Sequence, residues 1–388
     1  MLRKLDMVDW LKEAEAEKDF LKNCYEDFHR HPELGNEEYR TTGKLAAYLE
    51  EMGLEVYKPL ETGCVAELKG NGDPTVCFRA DIDALPIQEE TGVPYASENT
   101  YMHACGHDVH MTALLGAARL LSRHKDELKG NVRFLFQKDE EGEGGAEALI
   151  EKGVLDGVQA VFGCHVNPAL PAGTIGIRYG RFYAAAMKYD VTVHGRSAHG
   201  AEPEKGIDAL YAGSLLAIRL KQLTGNYEGT RCVVTTGSFH AGKVRNILCE
   251  EAVLSGIIRT PGLDLRKVLK DKFFETVQAV QDETGTEIDP VLIEGYPGVE
   301  NEACCTAFTE ETARNLLGDA HVVRLKEPTM TTEDFGYYLQ KVPGCFFHMG
   351  VNSAYPLHNS HMCPDESALP VLSAFEADLL SQAFLKIC

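Results

Sequence analysis

Apolar positions change their period along this chain, and the changes mark out its parts. From Asp9 to His29 they recur at helical spacing, and the run stops at His31-Pro32; Thr41 to Met52 repeats the pattern. Short strand-like runs follow at Val65–Leu68, Val76–Ala80, Asn131–Gln137 and Ala160–His165, with helical segments at Asp108–Leu121 and Gly145–Lys152. Strands alternating with helices predict an α/β layer on a largely parallel sheet.

Near Phe182 the pattern shifts. Met187–His194 alternates as a half-exposed strand, Ile207–Leu223 is helical, Arg231–Phe239 and Arg245–Ile258 read as strands, Leu263–Gly285 is a long helix and Thr286–Ile293 a last strand. That order, β-α-β-β-α-β, is the split βαβ of ferredoxin-like domains. After Tyr296 the α/β style returns. The fold class expected is therefore α/β: a discontinuous domain, residues 1–181 and 295–388, with a mixed, largely parallel sheet flanked by helices, interrupted by a ferredoxin-like α+β domain over residues 182–294.

Composition narrows the function. A chain of 388 residues is long for one core, so two domains are expected. Acidic residues number 59 against 38 basic, a net charge of −21, which argues against nucleic acid or an anionic membrane as partner. Met1 to Asp19 alternates charges without an apolar signal core, and no run approaches the ~20 apolar residues of a membrane span. A cytoplasmic location is expected. The 12 cysteines sit mostly in apolar strand-like segments and read as reduced core residues, with no disulfide expected.

Cys105 is the exception. The run His103-Ala104-Cys105-Gly106-His107-Asp108 sets a thiol two residues from an imidazole, a pairing that a zinc-like divalent cation selects. Glu140 and Glu141 follow one strand, His165 ends another, and His358 lies in Pro356-Leu357-His358-Asn359. Ligands in open α/β sheets gather beyond strand ends, where several of these candidates fall. Taken singly, each is as well explained as a core Cys, a satisfied His or a solvated acidic loop; together they point to metal.

Seven motifs run through almost the whole chain: His29-Arg-His-Pro-Glu-Leu-Gly35, Arg79-Ala-Asp-Ile-Asp-Ala-Leu-Pro86, His103-Ala-Cys-Gly-His-Asp108, Phe136-Gln-Lys-Asp-Glu-Glu-Gly142, Ser197-Ala-His-Gly200, Thr332-Glu-Asp-Phe335 and Pro356-Leu-His-Asn359. In these the chain resembles the M20 metallopeptidases, and within them the amidohydrolase branch of hippurate, N-acyl-amino-acid and auxin-conjugate hydrolases. The resemblance implies two divalent metal ions per subunit (Zn, or Mn, Co or Ni) on Cys105, His107, Glu141, His165 and His358. It implies that Glu140 is the general base toward a metal-activated water, and that Asp83 orients a ligand or the base. His199 matches a residue that in related enzymes reaches the partner subunit's active site and stabilises an oxyanion. Asn246 matches a substrate-binding Asn, and His240 and Arg259 are further candidates for a substrate carboxylate. His29, His31 and Glu33 are expected to be structural. The branch usually carries Pro-Ala where this chain has Lys138-Asp139, which is expected to alter pocket polarity.

The implied reaction is hydrolysis of N-acyl-L-amino acids by a cytoplasmic homodimer whose inserted domain is both lid and dimerisation module. Small-molecule or peptide substrates are expected, without nucleic acid or membrane. A dipeptidase or carboxypeptidase, an N-acetyl-diaminopimelate deacetylase, and a non-catalytic metal-binding protein stay open as alternatives.

Overall fold

A computed structural model describes residues 8–227 and 229–386. It divides into two compact units. The first is drawn from the chain up to Gly180, Asn301–Lys326 and the chain from Tyr337; the second comprises Arg181–Glu300 and Glu327–Gly336. Each unit has its own apolar core.

The first unit is built on an eight-stranded sheet in the order Glu55–Tyr57, Cys64–Leu68, Asn131–Gln137, Thr75–Asp81, Val158–Asn167, Gly344–Gly350, Ile175–Ile177, Val322–Arg324. The four strands from Asn131–Gln137 to Gly344–Gly350 run parallel, with antiparallel pairings on either side. Thr75–Asp81 is buried along its whole length, as a strand covered on both faces must be. Helices His107–Arg123 and Ala368–Lys386 pack on this strand and on each other, and the buried face of Lys18–Arg30 (Leu21, Cys24, Tyr25, Phe28) packs against them.

The second unit is a five-stranded antiparallel sheet in the order Glu287–Glu294, Ala185–His194, Glu251–Thr260, Thr230–Ala241, Gly225–Tyr227, packed by helices Ala209–Gln222 and Leu263–Thr284. Its strand order and two helices give the split βαβ arrangement, with one extra edge strand. Glu327–Gly336 joins this unit through backbone bonds from the Thr329 amide to Phe182 (2.9 Å) and from the Ala184 amide to Thr331 (3.0 Å).

Three local expectations need correction. Asp9–His29 is not one helix but two, Trp10–Ala16 and Lys18–Arg30, broken at Glu17, whose carboxylate turns to Arg119 (2.6 Å) and Arg123. The strand expected from Arg245 begins only at Glu251, because the preceding loop pairs instead with residues 198–200: the Leu248 amide donates to Ala198 O and the Gly200 amide to Asn246 O, each at 2.9 Å. The expectation of no disulfide fails at Cys304, which is disulfide-bonded. It lies half-buried in the first turn of helix Ala303–Leu317, whereas Cys305 beside it is buried and free.

Candidate metal centre

The site in the first unit is assembled from loops that leave the parallel strands. Gly106 starts helix His107–Arg123 in the left-handed region, φ 80°, and a Cβ there would lie 2.5 Å from Val166 Cγ2. Only glycine allows both. This turn places Cys105 and His107 beside the end of strand Val158–Asn167, where His165 stands.

Cys105 Sγ lies 3.3 Å from His165 Nε2 and 3.2 Å from His358 Nε2, and His358 Nε2 lies 2.9 Å from Glu141 Oε1. His358 is reached through a backbone at φ 62°, tied by its amide to Ala104 O at 2.9 Å. Two triads of donor atoms, Cys105–His107–His165 and Cys105–Glu141–His358, each fall within 4.8 Å and share the thiol. His107, Glu140 and Glu141 form a third such group.

The donor set fits cations. His107 Nδ1 bonds Asp83 O (2.9 Å) and Asp83 Oδ1 (3.1 Å), which leaves Nε2 buried without a hydrogen-bond partner, 3.7 Å from Asp81 Oδ2. A buried orphan nitrogen carries a desolvation cost that a cation would remove. His165 Nδ1 bonds Val166 O at 2.8 Å and so turns Nε2 to Cys105. Asp83 also accepts from the Glu141 amide at 3.0 Å, so one carboxylate braces a ring and the acidic loop together.

The electrostatics lead to the same conclusion. Burial, then Glu141 and Glu140, push the Cys105 thiol well above its ordinary range, although a thiolate is the form that binds metal. Burial works against a charge on Glu141, yet the His358 hydrogen bond and the charge of His107 hold its pKa down. Burial likewise opposes a charge on His107, but Asp81 and Asp83 raise it to about 10. Carboxylates of Asp81, Asp83 and Glu141 thus stand against the donor rings, a setting that favours added positive charge.

One residue escaped sequence reasoning. His110, fully buried, receives the Val166 amide on Nε2 at 2.8 Å and bonds Asp81 Oδ1 through Nδ1 at 2.5 Å. Its ring stacks on His107 (5.3 Å, 30°) and meets His165 edge-on (4.8 Å). Asp81 is held in turn by Arg79 at 2.6 Å. Farther back, His29 lies between Asp108 (2.6 Å) and Glu89 (3.1 Å), which overcome burial and lift it to about 10. Glu33 accepts from the Arg40 and Thr41 amides and ties down the start of helix Tyr39–Glu51.

Lys138 and Asp139, expected to alter pocket polarity, both bond Asn36. Asp139 turns inward and is 4% exposed, bonded to Asn36. Glu140, next in the chain, is 6% exposed.

The remaining candidates lie in the second unit. His199 and Asn246 are exposed on neighbouring loops joined by the His199–Ile247 bridge. His240 lines a cleft of about 850 Å³ with Ser197, Lys243 and Cys249. Arg259 is half-buried on strand Glu251–Thr260, its guanidinium lowered by burial and without an acidic partner among the described residues. It sits six residues from Val253, the cross-strand partner of His240, or roughly 20 Å along the strand, so these two are not brought together.

Comparison with known proteins agrees with this geometry. The chain is 36% identical over 374 residues to N-acetylcysteine deacetylase of Bacillus subtilis, covering 94% of this chain and 97% of the relative. It is 34% identical over 395 residues to thermostable carboxypeptidase 2 of Saccharolobus solfataricus, covering 98% and 99%. A crystal structure from Bacillus subtilis described as a dinuclear metal-binding peptidase of the M20 family superposes with a TM-score of 0.87 at 34% identity, covering 96% of this chain and 100% of the other. Residues 77–382 match peptidase family M20/M25/M40, so the chain belongs to that family and is a metal-dependent hydrolase of C–N bonds.

Proposed function

We propose that the chain hydrolyses the amide bond of N-acyl-L-amino acids, with two divalent cations held by Cys105, His107, Glu141, His165 and His358. The observation that carries this reading is the pair of donor triads meeting at one thiol, with Glu140 beside them. Cations bound there would polarise the acyl carbonyl and lower the pKa of the attacking water toward about 7.

The chain's own residues do the rest. Asp83 fixes the His107 tautomer and steadies the Glu141 backbone. Glu140 takes a proton from the water as its oxygen bonds the acyl carbon, then passes it to the departing nitrogen as the C–N bond breaks. A carboxylate and a free amino acid result. His199 supplies a donor to the developing oxyanion, which is worth roughly 3 kcal/mol where such donors have been removed. Asn246, His240 and Arg259 are proposed for substrate recognition; a half-buried guanidinium without an acidic partner among the described residues suits a carboxylate.

Thiolate with imidazole favours zinc over manganese, cobalt or nickel. We propose a homodimer through the second unit, whose helix Ala209–Gln222 exposes Leu210, Tyr211 and Ile218. No helix among the described residues is long and apolar enough to cross a membrane. We propose a cytoplasmic location, since among the described residues the free thiols outnumber the one bonded cysteine, Cys304, and a reducing compartment preserves them.

The test is amine release from N-acetyl, N-benzoyl and long-chain N-acyl amino acids, N-acetyl-diaminopimelate and dipeptides, after stripping and reloading with zinc, manganese or cobalt. Metal-restored cleavage of an acyl class supports the reading. Cleavage of peptides alone would transfer the assignment to the carboxypeptidase reading, which the Saccharolobus relative favours.

A further inference from the structure

The loop that carries Glu140 and Glu141 opens at Asp139, whose backbone is left-handed at φ 55°. Most L-residues resist that conformation; Asp and Asn tolerate it because their short polar side chains bond locally. The Asp139 carboxylate is buried, which is rare for a charged group without partners. Its Oδ2 accepts from Asn36 Nδ2 at 2.6 Å and from the Glu143 amide at 3.4 Å. Its amide donates to Glu38 Oε1 at 2.9 Å, and its carbonyl accepts from the Gly144 amide at 3.0 Å. Lys138 Nζ donates to Asn36 Oδ1. A Cβ on Gly35 would lie 2.0 Å from Asp139 Oδ1, and one on Gly142 2.1 Å. The two glycines leave the space that this carboxylate fills.

We propose that Asp139 is a positioning residue for the Glu140–Glu141 pair. Clamped between Asn36, Glu38 and the Gly142–Gly144 turn, it fixes the turn from which both carboxylates project. The inference rests on the roles given to Glu140 and Glu141 above. It also assigns a use to Lys138-Asp139, where the amidohydrolase branch carries Pro-Ala. A proline ring restrains the backbone covalently; in this chain side-chain hydrogen bonds do so, and they engage Asn36, just past the His29–Gly35 motif.

The experiment compares the metal-loaded full chain with Asp139→Ala, Asp139→Asn, Asn36→Ala and the Asp139→Ala/Asn36→Ala double variant. Steady-state kinetics on the best acyl substrate are combined with amide hydrogen exchange over residues 139–145. Asp139→Ala is expected to lower kcat about 10- to 100-fold with KM within about twofold, as a small misplacement of a reacting group does. Its loop amides should exchange about tenfold faster, as opening a clamped loop requires. Asp139→Asn, which keeps the left-handed tolerance and an acceptor, should stay near wild type in both. Asn36→Ala should show part of the defect, and the double variant should be no worse than Asp139→Ala, because the two groups act as one unit. If Asp139→Ala does not fold, the Asn36→Ala loss of kcat at constant KM decides the matter.

Unchanged kcat and loop protection in Asp139→Ala would overturn the proposal, as would an Asn variant no better than Ala or strictly additive losses. Wild type inert toward every acyl substrate would instead overturn the substrate reading, while the exchange data would still decide whether Asp139 holds the loop.

Discussion

Glu140 and Glu141 are consecutive, and their surroundings give them different tasks. Glu141 is braced by His358 at 2.9 Å and by Asp83 on its amide, the posture of a ligand. On the proposed reading Glu140→Gln removes the proton acceptor and little else. It should lower kcat by about 10²- to 10⁴-fold, with both cations still counted by elemental analysis. Glu141→Gln should lose cation first, and the reverse pattern would exchange the two roles. His110→Asn offers a second test, because it breaks the Asp81–His110–Val166 chain behind His107 and His165. Metal affinity should fall about 10- to 100-fold by competition titration, as it does when residues supporting a ligand are changed. The donors were legible because thiol, imidazole and carboxylate stood in local motifs. His110 was not: a histidine on an apolar helix reads as core, and its partners are 29 and 56 residues away. Its one local signal was its spacing of three from His107, which puts both on one helix face.

At the scale of elements, amphipathic period located most helices and strands, and chain direction changes decided where they ended. The break at Glu17 depends on Arg119 and Arg123, about a hundred residues later, and no window around Glu17 contains them. The turn at Gly106 is local and therefore testable. Gly106→Ala forces a Cβ into left-handed backbone, at about 1–2 kcal/mol, and drives it into Val166. The thermal midpoint should drop by several degrees, and cation loading should weaken with it, since Cys105 and His107 flank the turn. A variant with unchanged midpoint would show that the turn relaxes. Helix Ala303–Leu317 and strand Val322–Arg324 are joined at Glu310, which Arg324 holds at 2.7 Å, Arg314 at 2.7 Å and Tyr179 at 2.8 Å. Arg324 above all, against the opposing effect of burial, lowers the Glu310 carboxyl to about 2 from an ordinary 4.5. A carboxylate whose pKa is depressed on folding stabilises fully above its unfolded value and loses that contribution as pH falls through the folded one. The stability difference between wild type and Glu310→Gln should hold above pH 4.5 and shrink toward pH 2. It should also narrow with salt, because Arg324 is 67% exposed. A difference that does not vary with pH would mean that Glu310 acts by packing alone.

At the scale of the molecule, two cores and one donor cluster make an asymmetric prediction. All five proposed ligands belong to the first unit, and each unit has its own apolar core. A ligand stabilises only what it binds: about 2.7 kcal/mol at a free concentration of 100 Kd and about 4.1 at 1,000 Kd. Chelation should therefore lower the stability of the first unit and leave the second nearly unchanged. Hydrogen exchange resolves the two where calorimetry superimposes them. Amides of Asn131–Gln137 and Val158–Asn167, whose strand ends lead into the site, should lose protection on metal removal. Amides of Ala185–His194 and Glu251–Thr260, the centre of the antiparallel sheet, should keep theirs. Loss of protection in both sets together would mean that the units unfold as one cooperative body. Loss in neither would mean that the donors hold their places without cations, and that the field of Asp81, Asp83, Glu140 and Glu141 is balanced by the protein alone.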